Sequence, residues 1–355
     1  MVSAAVEQLA PTAVEGEEIA FRLADPEHAL PGARVWCDLD LGAVLDLAEV
    51  PGGWELRLPL PDLDCLEYLF EIPADGAADL RPDPGNPLTV DGAFGEHSWL
   101  PMPGYAAPAW VDLPSVEAVR RPVSVAGTPL GALEAEVWAP ADAAPEEPLP
   151  LMLAHDGPEM DKFAGLTHYV GALIGDGRLP RMRVALLVPG KRNPSYSANP
   201  AYAAALTDHV LPRLRELFAT SRLPVLSGQS LGGLAALHAA WTSPGVFGGL
   251  LMQSGSFFTP DLDPQESGYE HFKEVTGFVR SVLAASSAAP GAPRMTLTCG
   301  TAEENLANNR LMADHLTATG VDVSWGEVRQ GHTWTCWRDL LDPHLTDLLT
   351  RVWGT

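Results

Sequence analysis

Basic residues are scarce in this chain. Its 355 residues include 22 lysines and arginines against 46 aspartates and glutamates, so the formal net charge is −24. A protein of that charge repels polyanions, so we expect it to bind neither nucleic acid nor an anionic membrane through bulk electrostatics. The same charge disfavours anionic substrates unless the pocket is locally basic.

Cysteines and long apolar runs are also few. Cys37, Cys65, Cys299 and Cys336 lie far apart, without the spacing of metal ligands, which indicates reduced thiols. We therefore expect no bound metal and no cofactor. No stretch approaches the ~20 apolar residues of a membrane span. Residues 1–20 lack the basic start and apolar core of a signal peptide, so a cytoplasmic protein is expected.

The composition of the sequence changes near residue 105, which predicts two domains. Before that point, short apolar runs such as 34–37, 54–58 and 66–72 are broken by Pro, Gly and Asp. This pattern is typical of a small all-β sandwich of immunoglobulin-like type. Residues 81–105 are rich in Pro and Gly and are predicted to be an extended connector. We therefore assign 1–105 to an N-terminal all-β domain and connector, and 106–355 to a catalytic domain.

The second part of the chain alternates between strand and helix patterns. Helices are predicted over 201–219 and 305–319. Such alternation indicates an α/β fold with a mostly parallel sheet covered on both faces, as in the α/β-hydrolases. The apolar strands are predicted at 149–154, 184–188, 224–227, 250–253, 295–299 and 321–328.

A G-x-S-x-G pentapeptide at residues 228–232 carries most of the functional information. A short apolar run precedes it and a run of helix formers follows it, so Ser230 is predicted at a sharp turn from strand to helix. Only residues without a Cβ fit beside such a turn, which explains Gly228 and Gly232. The sequence therefore predicts a nucleophile elbow with Ser230 as the nucleophile.

A serine nucleophile of this fold needs an acid and then a histidine after later strands. His332 follows the last predicted strand and is the candidate base, which would take the hydroxyl proton and return it to the leaving alcohol. Glu303 and Glu304 both follow the strand at 295–299, and Glu303 is preferred as the acid. For either glutamate the alternative is a charge that complements the N-terminus of the helix at 305–319.

Two backbone N–H groups are expected to form the oxyanion hole. The first is that of Leu231, directly after the nucleophile, and the second comes from the loop after the strand that ends near residue 154. Pro158 in that loop has no N–H to give. The Gly157 N–H, the Glu159 N–H and the Lys162 side chain remain open as donors, and Gly157 is the candidate retained here.

Several segments spread over nearly the whole chain resemble the enterochelin esterases, a family of esterase D-like α/β-hydrolases. The elbow and the helix after it carry the most specific part of this resemblance. The similar segments are 228–237, 254–258, 331–332, 336–338, 83–87, 155–157 and 192–200.

The resemblance implies a cytoplasmic esterase that opens the trilactone backbone of a ferric catecholate siderophore and so lets iron be released. It implies Ser230 as nucleophile, His332 as base and Glu303 as acid. Arg192 would face the pocket and pair with the anionic substrate. His155, Trp337 and Arg338 complete the predicted substrate-binding residues, although Trp337 could instead pack the last helix against the sheet.

Two other functions stay open at this point. A broader carboxylesterase for small acyl or aryl esters suits the acidic net charge better than a siderophore esterase does. A protein of another class, which binds a glycan or catechol without catalysis, would not need the ordered Ser, Glu and His. The predicted partner is a small-molecule ester in each catalytic case, and no oligomeric state is predicted.

Overall fold

The computed structural model of this chain describes residues 9–74, 76 and 78–354, which form two compact units. The first unit contains the described residues up to Ala106 together with Arg329–His332, and the second contains Ala107–Val328 and the described residues from Thr333 onward. The four residues at 329–332, predicted within the catalytic domain, thus group with the first unit. A bond from the backbone N–H of Asp64 to the carbonyl of Arg329 (2.6 Å) accompanies this grouping.

Two antiparallel sheets make up the first unit. One has the order β1-β2-β5-β4, and the other has the order β3-β6-β9-β8 with β7 paired to β6. Phe21 of the first sheet and Tyr68 of the second meet edge to face, with ring centroids 5.2 Å apart. The sandwich predicted for this region is confirmed. Its strands are β1 (Ala13–Glu15), β2 (Glu18–Ala24), β3 (Arg34–Trp36), β4 (Ala48–Val50), β5 (Gly53–Pro59), β6 (Cys65–Ile72), β7 (Asp79–Arg81), β8 (Thr89–Gly92) and β9 (Gly95–Pro101).

The predicted connector at 81–105 is instead largely part of this β unit, because β8 and β9 form a hairpin within it. Its Asp83 is buried and accepts a hydrogen bond from the Tyr68 hydroxyl at 2.7 Å. The Asp83 backbone N–H donates to the Ser98 hydroxyl at the same distance. Pro and Gly exclude a helix here, but they are compatible with short strands and turns, so the segment pairs as a hairpin instead of running as an extended connector.

One eight-stranded sheet forms the centre of the second unit, in the order β10-β11-β13-β12-β14-β15-β16-β17. The pairs that join β10, β11 and β13 are antiparallel, and all the others are parallel, which confirms the predicted α/β-hydrolase architecture. The strands are β10 (Ala118–Thr128), β11 (Gly131–Pro140), β12 (Leu151–Ala154), β13 (Arg183–Leu187), β14 (Val225–Gln229), β15 (Gly249–Gln253), β16 (Arg294–Gly300) and β17 (Val323–Val328).

Helices cover both faces of this sheet, which explains why its central strands read as continuous apolar runs. Neighbouring residues of β15 show this, since Leu250 enters one hydrophobic core and Leu251 enters the other. Among the described residues, no helix has the length and apolar character needed to cross a membrane. The α-helices are α1 (Gly157–Ala164), α2 (Leu166–Gly175), α3 (Arg192–Tyr196), α4 (Pro200–Ala205), α5 (Leu211–Leu217), α6 (Leu231–Thr242), α7 (Phe272–Leu283), α8 (Leu306–Ala318), α9 (Trp334–Asp339) and α10 (His344–Trp353).

Candidate active site

Most of the candidate residues of the second unit follow the carboxyl ends of its parallel strands. Asp156 lies just after β12, Arg192 after β13, Ser230 after β14 and Glu303 after β16. The carboxyl ends of parallel strands meet at one edge of a sheet, and that edge is where open α/β folds bind their ligands.

Ser230 has the backbone geometry of a nucleophile elbow. Its φ of 55° and ψ of −124° place a residue with a Cβ in a strained region, at a cost of about 1–3 kcal/mol. A Cβ added to Gly228 would lie 2.2 Å from the carbonyl oxygen of Gly232, so glycine is required where strand and helix cross. The Ser230 N–H donates to the Gln253 carbonyl (3.0 Å), which fixes the turn to the next strand.

A second hydroxyl lies beside the nucleophile, and the sequence analysis assigned it no role. The Oγ atoms of Ser256 and Ser230 are 3.3 Å apart, and either can donate to the other. The Ser256 backbone N–H also donates to the Ser230 carbonyl at 3.1 Å. Asn309 fixes this loop, since its side chain bonds both the N–H and the carbonyl of Gly255 at 2.9 and 2.7 Å. The position of Ser256 three residues after the end of β15 was the signal that could have identified it.

The two predicted oxyanion donors begin two helices. Leu231 is the first residue of α6 and Gly157 is the first residue of α1, so neither N–H has an acceptor in a preceding turn of its helix. The two helix starts are neighbours, because a Cβ on Gly232 would lie 3.1 Å from the Cβ of His155 and 3.4 Å from Asp156 Oδ2. Both N-termini carry partial positive charge, which suits a developing oxyanion.

Arg192, predicted to face an anionic substrate, is bound to a carboxylate of the protein itself. Its Nε lies 2.9 and 3.0 Å from the two carboxylate oxygens of Asp156, and its Nη2 lies 2.8 Å from Oδ2. The side chain of Asp156 is only 5% exposed, whereas 36% of the Arg192 side chain is exposed. The ion pair therefore holds the residue directly before Gly157, and the guanidinium charge is already balanced.

His155 is buried among aromatic rings, and its role in substrate binding stays a prediction. It has no exposed surface, and neither ring nitrogen has a hydrogen-bond partner among the described residues. Its ring packs on those of Tyr196 and Tyr202, with centroids 4.9 and 5.6 Å away. Burial lowers the pKa of His155 to about 3, so the imidazole is neutral at physiological pH. A short apolar strand such as β12 is buried to its end, and the residue after it remains inside.

The two candidate acids have different environments. Glu303 is buried, and its Oε1 accepts hydrogen bonds from the Ser254 hydroxyl (2.6 Å) and the Gly300 N–H (2.8 Å). Glu304 is exposed and accepts from the Gln265 side-chain amide at 3.3 Å. A triad acid is buried and oriented by donors, so this geometry favours Glu303.

Trp337 and Arg338, both predicted to bind substrate, have partners inside the second unit. The Trp337 indole N–H donates to the Ser254 hydroxyl at 3.0 Å, and its side chain is buried. Its ring also packs edge to face on Trp334, with centroids 4.7 Å apart. The Arg338 guanidinium pairs with Asp339 at 2.8 Å. The packing alternative for Trp337 is therefore the one that the contacts support.

His332 lies in the segment Arg329–His332, between β17 and α9, and is partly exposed. The preceding Gly331 is closely packed within the first unit, since a Cβ there would lie 2.6 Å from Leu39. The pairing of His332 with Ser230 stays a prediction. Within the described residues, no group of three or more His, Cys, Asp or Glu side chains is arranged to hold a metal ion.

Residues 131–348 match the model named Esterase, described as "Putative esterase". The iron(III) enterobactin esterase of Dickeya dadantii (strain 3937) is 30% identical over 227 residues, which covers 60% of this chain and 51% of that protein. The same-named enzyme of Escherichia coli (strain K12) is 35% identical over 126 residues, covering 35% of this chain and 29% of that protein. The chain thus spans about half or less of these relatives' length.

Solved structures extend the likeness to both units. The enterobactin esterase from Shigella flexneri, solved in the presence of 2,3-di-hydroxy-N-benzoyl-glycine, has a TM-score of 0.75 at 21% identity, covering 95% of this chain and 94% of that chain. The ferric enterobactin esterase from Salmonella typhimurium has the same TM-score at 23% identity, covering 94% and 93%. At these identities the match shows the fold. Together with the sequence matches, it confirms the resemblance to enterochelin esterases that the motifs indicated.

Proposed function

The chain belongs to the Esterase family, and we propose that it is a serine esterase with Ser230 as nucleophile, His332 as base and Glu303 as acid. The observation that carries this proposal is the strained elbow at Ser230. A residue with a Cβ is held there at positive φ, where the turn presents its hydroxyl at the carboxyl edge of the sheet.

The reaction follows from the groups around the elbow. The Ser230 oxygen attacks the ester carbonyl while His332 takes its proton, and the resulting oxyanion accepts hydrogen bonds from the N–H groups of Leu231 and Gly157. The C–O bond to the alcohol then breaks as His332 returns the proton to the leaving oxygen. Water, activated by the same imidazole, releases the acid from Ser230 in the second half of the reaction.

For the substrate we propose a ferric catecholate siderophore trilactone, hydrolysed in the cytoplasm so that iron is released. Support comes from the names of the sequence relatives, which are iron(III) enterobactin esterases. A similar solved structure was determined in the presence of enterobactin. All four cysteines lie within the described residues and are thiols, which suits a reducing compartment. The metal in this proposal is cargo of the substrate.

A specific observation also favours a second candidate, a general carboxylesterase for small acyl or aryl esters. The structure pairs Arg192 with Asp156 and Arg338 with Asp339, so neither guanidinium offers an unbalanced charge to an anionic substrate. Against a formal net charge of −24, such pairing weakens the attraction for a catecholate complex. A neutral ester meets no such barrier.

The first experiment separates these candidates by product analysis. The native protein and Ser230→Ala are each incubated with a ferric catecholate trilactone and with 4-nitrophenyl acetate, and products are identified by mass spectrometry. Linear products from the trilactone with the native protein alone support the siderophore function. Cleavage of the aryl ester alone, dependent on Ser230, supports the general esterase. Equal turnover by Ser230→Ala would refute the serine mechanism.

The acid is tested with a matched pair of substitutions. Glu303→Gln and Glu304→Gln remove the same charge from adjacent residues, one buried and one exposed. We expect Glu303→Gln to lower kcat by about 10²–10⁴-fold and Glu304→Gln to change it by less than about threefold. The reverse order would reassign the acid to Glu304.

A further inference from the structure

A buried hydroxyl that the proposed reaction does not use lies next to the proposed acid. Ser254 directly follows β15, has no exposed surface, and has a positive φ of 49°. A residue with a Cβ rarely adopts that conformation unless its surroundings require it. The Ser254 Oγ bonds to Trp337 and to Glu303, and these two hydrogen bonds account for the unusual backbone conformation.

The three groups form a hydrogen-bonded chain whose direction is fixed. The Trp337 indole N–H can only donate, so the Ser254 oxygen accepts from it at 3.0 Å. The single proton of the hydroxyl is then directed at Glu303 Oε1, 2.6 Å away, a distance typical of a hydrogen bond to a carboxylate. The Gly300 N–H donates to the same oxygen at 2.8 Å. The Cys336 thiol is a third donor to this oxygen, at 3.8 Å. The two short hydrogen bonds, from Ser254 and Gly300, therefore do most to fix one oxygen of the carboxylate.

Resting on the function proposed above, we propose that Ser254 and Trp337 are positioning residues for Glu303. They hold Oε1 so that the carboxylate plane is set before substrate arrives. Neither residue touches the reacting atoms. Ser254 and Trp337 affect catalysis only by orienting the Glu303 carboxylate. Their effect on the rate is therefore lost when Glu303 no longer carries a charge.

The positive φ of Ser254 fits this role. The Ser254 N–H bonds the Thr298 carbonyl on β16 at 2.7 Å, and the Asn305 side-chain amide donates to the Ser254 carbonyl at 3.4 Å. These bonds hold the backbone in the turn that places Oγ between indole and carboxylate. The three residues are far apart in sequence, since Glu303 and Trp337 lie 49 and 83 positions after Ser254.

The test measures the rate at which a fluorophosphonate probe labels Ser230, because this rate reports activation of the nucleophile whatever the natural ester is. In labelling, the Ser230 Oγ–P bond forms, the P–F bond breaks, fluoride leaves and the serine proton passes to the base. We expect Ser254→Ala to slow labelling by about 10–100-fold and Trp337→Phe by about 3–10-fold.

A double-mutant cycle separates positioning from general stability. In a Glu303→Gln background, we expect Ser254→Ala to slow labelling by less than about threefold more, because the carboxylate it orients is gone. An equal slowing in both backgrounds would overturn the proposal and leave Ser254 a structural residue. Unchanged labelling of Ser254→Ala in the native background would overturn it too.

Two matched controls and one rescue keep the result interpretable. Ser227→Ala removes a buried hydroxyl that donates to the Leu153 carbonyl at 3.5 Å. Trp110→Phe removes a buried indole N–H that has no hydrogen-bond partner in the described part of the chain. Both variants should label within about twofold of the native rate. If Ser254→Ala fails to fold, Ser254→Gly removes the hydroxyl while easing the positive φ, and it should show the same slowing. Absence of Ser230-dependent labelling in the native protein would refute the proposed function itself, which distinguishes that failure from failure of the positioning role.

Discussion

Removing the positive charge that faces Asp156 is the most informative perturbation of the site. Arg192→Met keeps an unbranched apolar stem in place of the arginine methylenes but deletes the three contacts of 2.8–3.0 Å that the guanidinium makes with Asp156. Asp156 is 5% exposed and is then left as a buried charge without its partner. Losing one partner of a fully buried pair costs about 3–5 kcal/mol. Because 36% of the Arg192 side chain is exposed and water can replace part of it, we expect about 2–4 kcal/mol here.

The two partners of the ion pair differ in exposure, so removing one is expected to cost more than removing the other. Asp156→Asn leaves a guanidinium that can reach solvent, so we expect a loss of only about 1–2 kcal/mol. Adding Asp156→Asn to Arg192→Met removes the uncompensated buried charge. The double variant should therefore be more stable than Arg192→Met alone, which is a recovery that independent defects cannot produce.

Urea unfolding at pH 7, followed by circular dichroism, measures the free energy of unfolding of all four proteins. A double variant less stable than Arg192→Met would refute the reasoning, because it would show that Asp156 is not stranded by the loss of Arg192. Kinetics on the same proteins test whether Arg192 also binds substrate. If the recovered double variant keeps a raised KM for an anionic ester but not for a neutral one, Arg192 contacts substrate in addition to holding the loop.

Two further predictions concern the elbow and the buried histidines. Gly228→Ala places a Cβ 2.2 Å from the carbonyl oxygen of Gly232, where only backbone could move, so we expect a loss of at least about 3 kcal/mol in urea unfolding. Gly277→Ala is the control, because a Cβ at this position of α7 would meet open space. This change should raise the free energy of unfolding by up to about 1 kcal/mol. Similar losses of stability in both variants would contradict the argument that strand and helix approach closely at Gly228. Burial lowers the pKa of His155 to about 3 and that of His238 to about 4, so unfolding takes up protons below the unfolded-state value of about 6.5. The contribution of each of these two histidines to stability should thus be constant above that pH and fall by up to about 1.4 kcal/mol per pH unit between pH 6 and 4.5. His155→Phe should lower the measured slope by that amount. An unchanged slope would show that His155 is not the proton acceptor.

Much of the fold could be predicted from local sequence patterns. Strands buried on both faces have no polar side to show, so runs such as those of β14 and β15 stand out as short apolar segments between turns. The connector is the main error of the fold prediction, because Pro and Gly show where a helix cannot form but do not exclude an edge hairpin. The strand pairing of β8 and β9 depends on partners outside the segment, including Asp83 with Tyr68.

The elbow at Ser230 was determined by the sequence itself, because its strand, turn and helix lie within about twenty consecutive residues and glycine is required by local crowding. The order of Ser230, Glu303 and His332 could also be predicted from the sequence, because each residue follows a strand that local patterns identify. Only the tertiary structure decided which side chains around the site bond to each other. Arg192 meets Asp156 across 36 positions, and Ser254 meets Trp337 across 83, because loops from different strands converge at one edge of the sheet. Spacing along the chain says which residues reach that edge, whereas burial and the geometry of neighbouring loops decide which of them bond to each other.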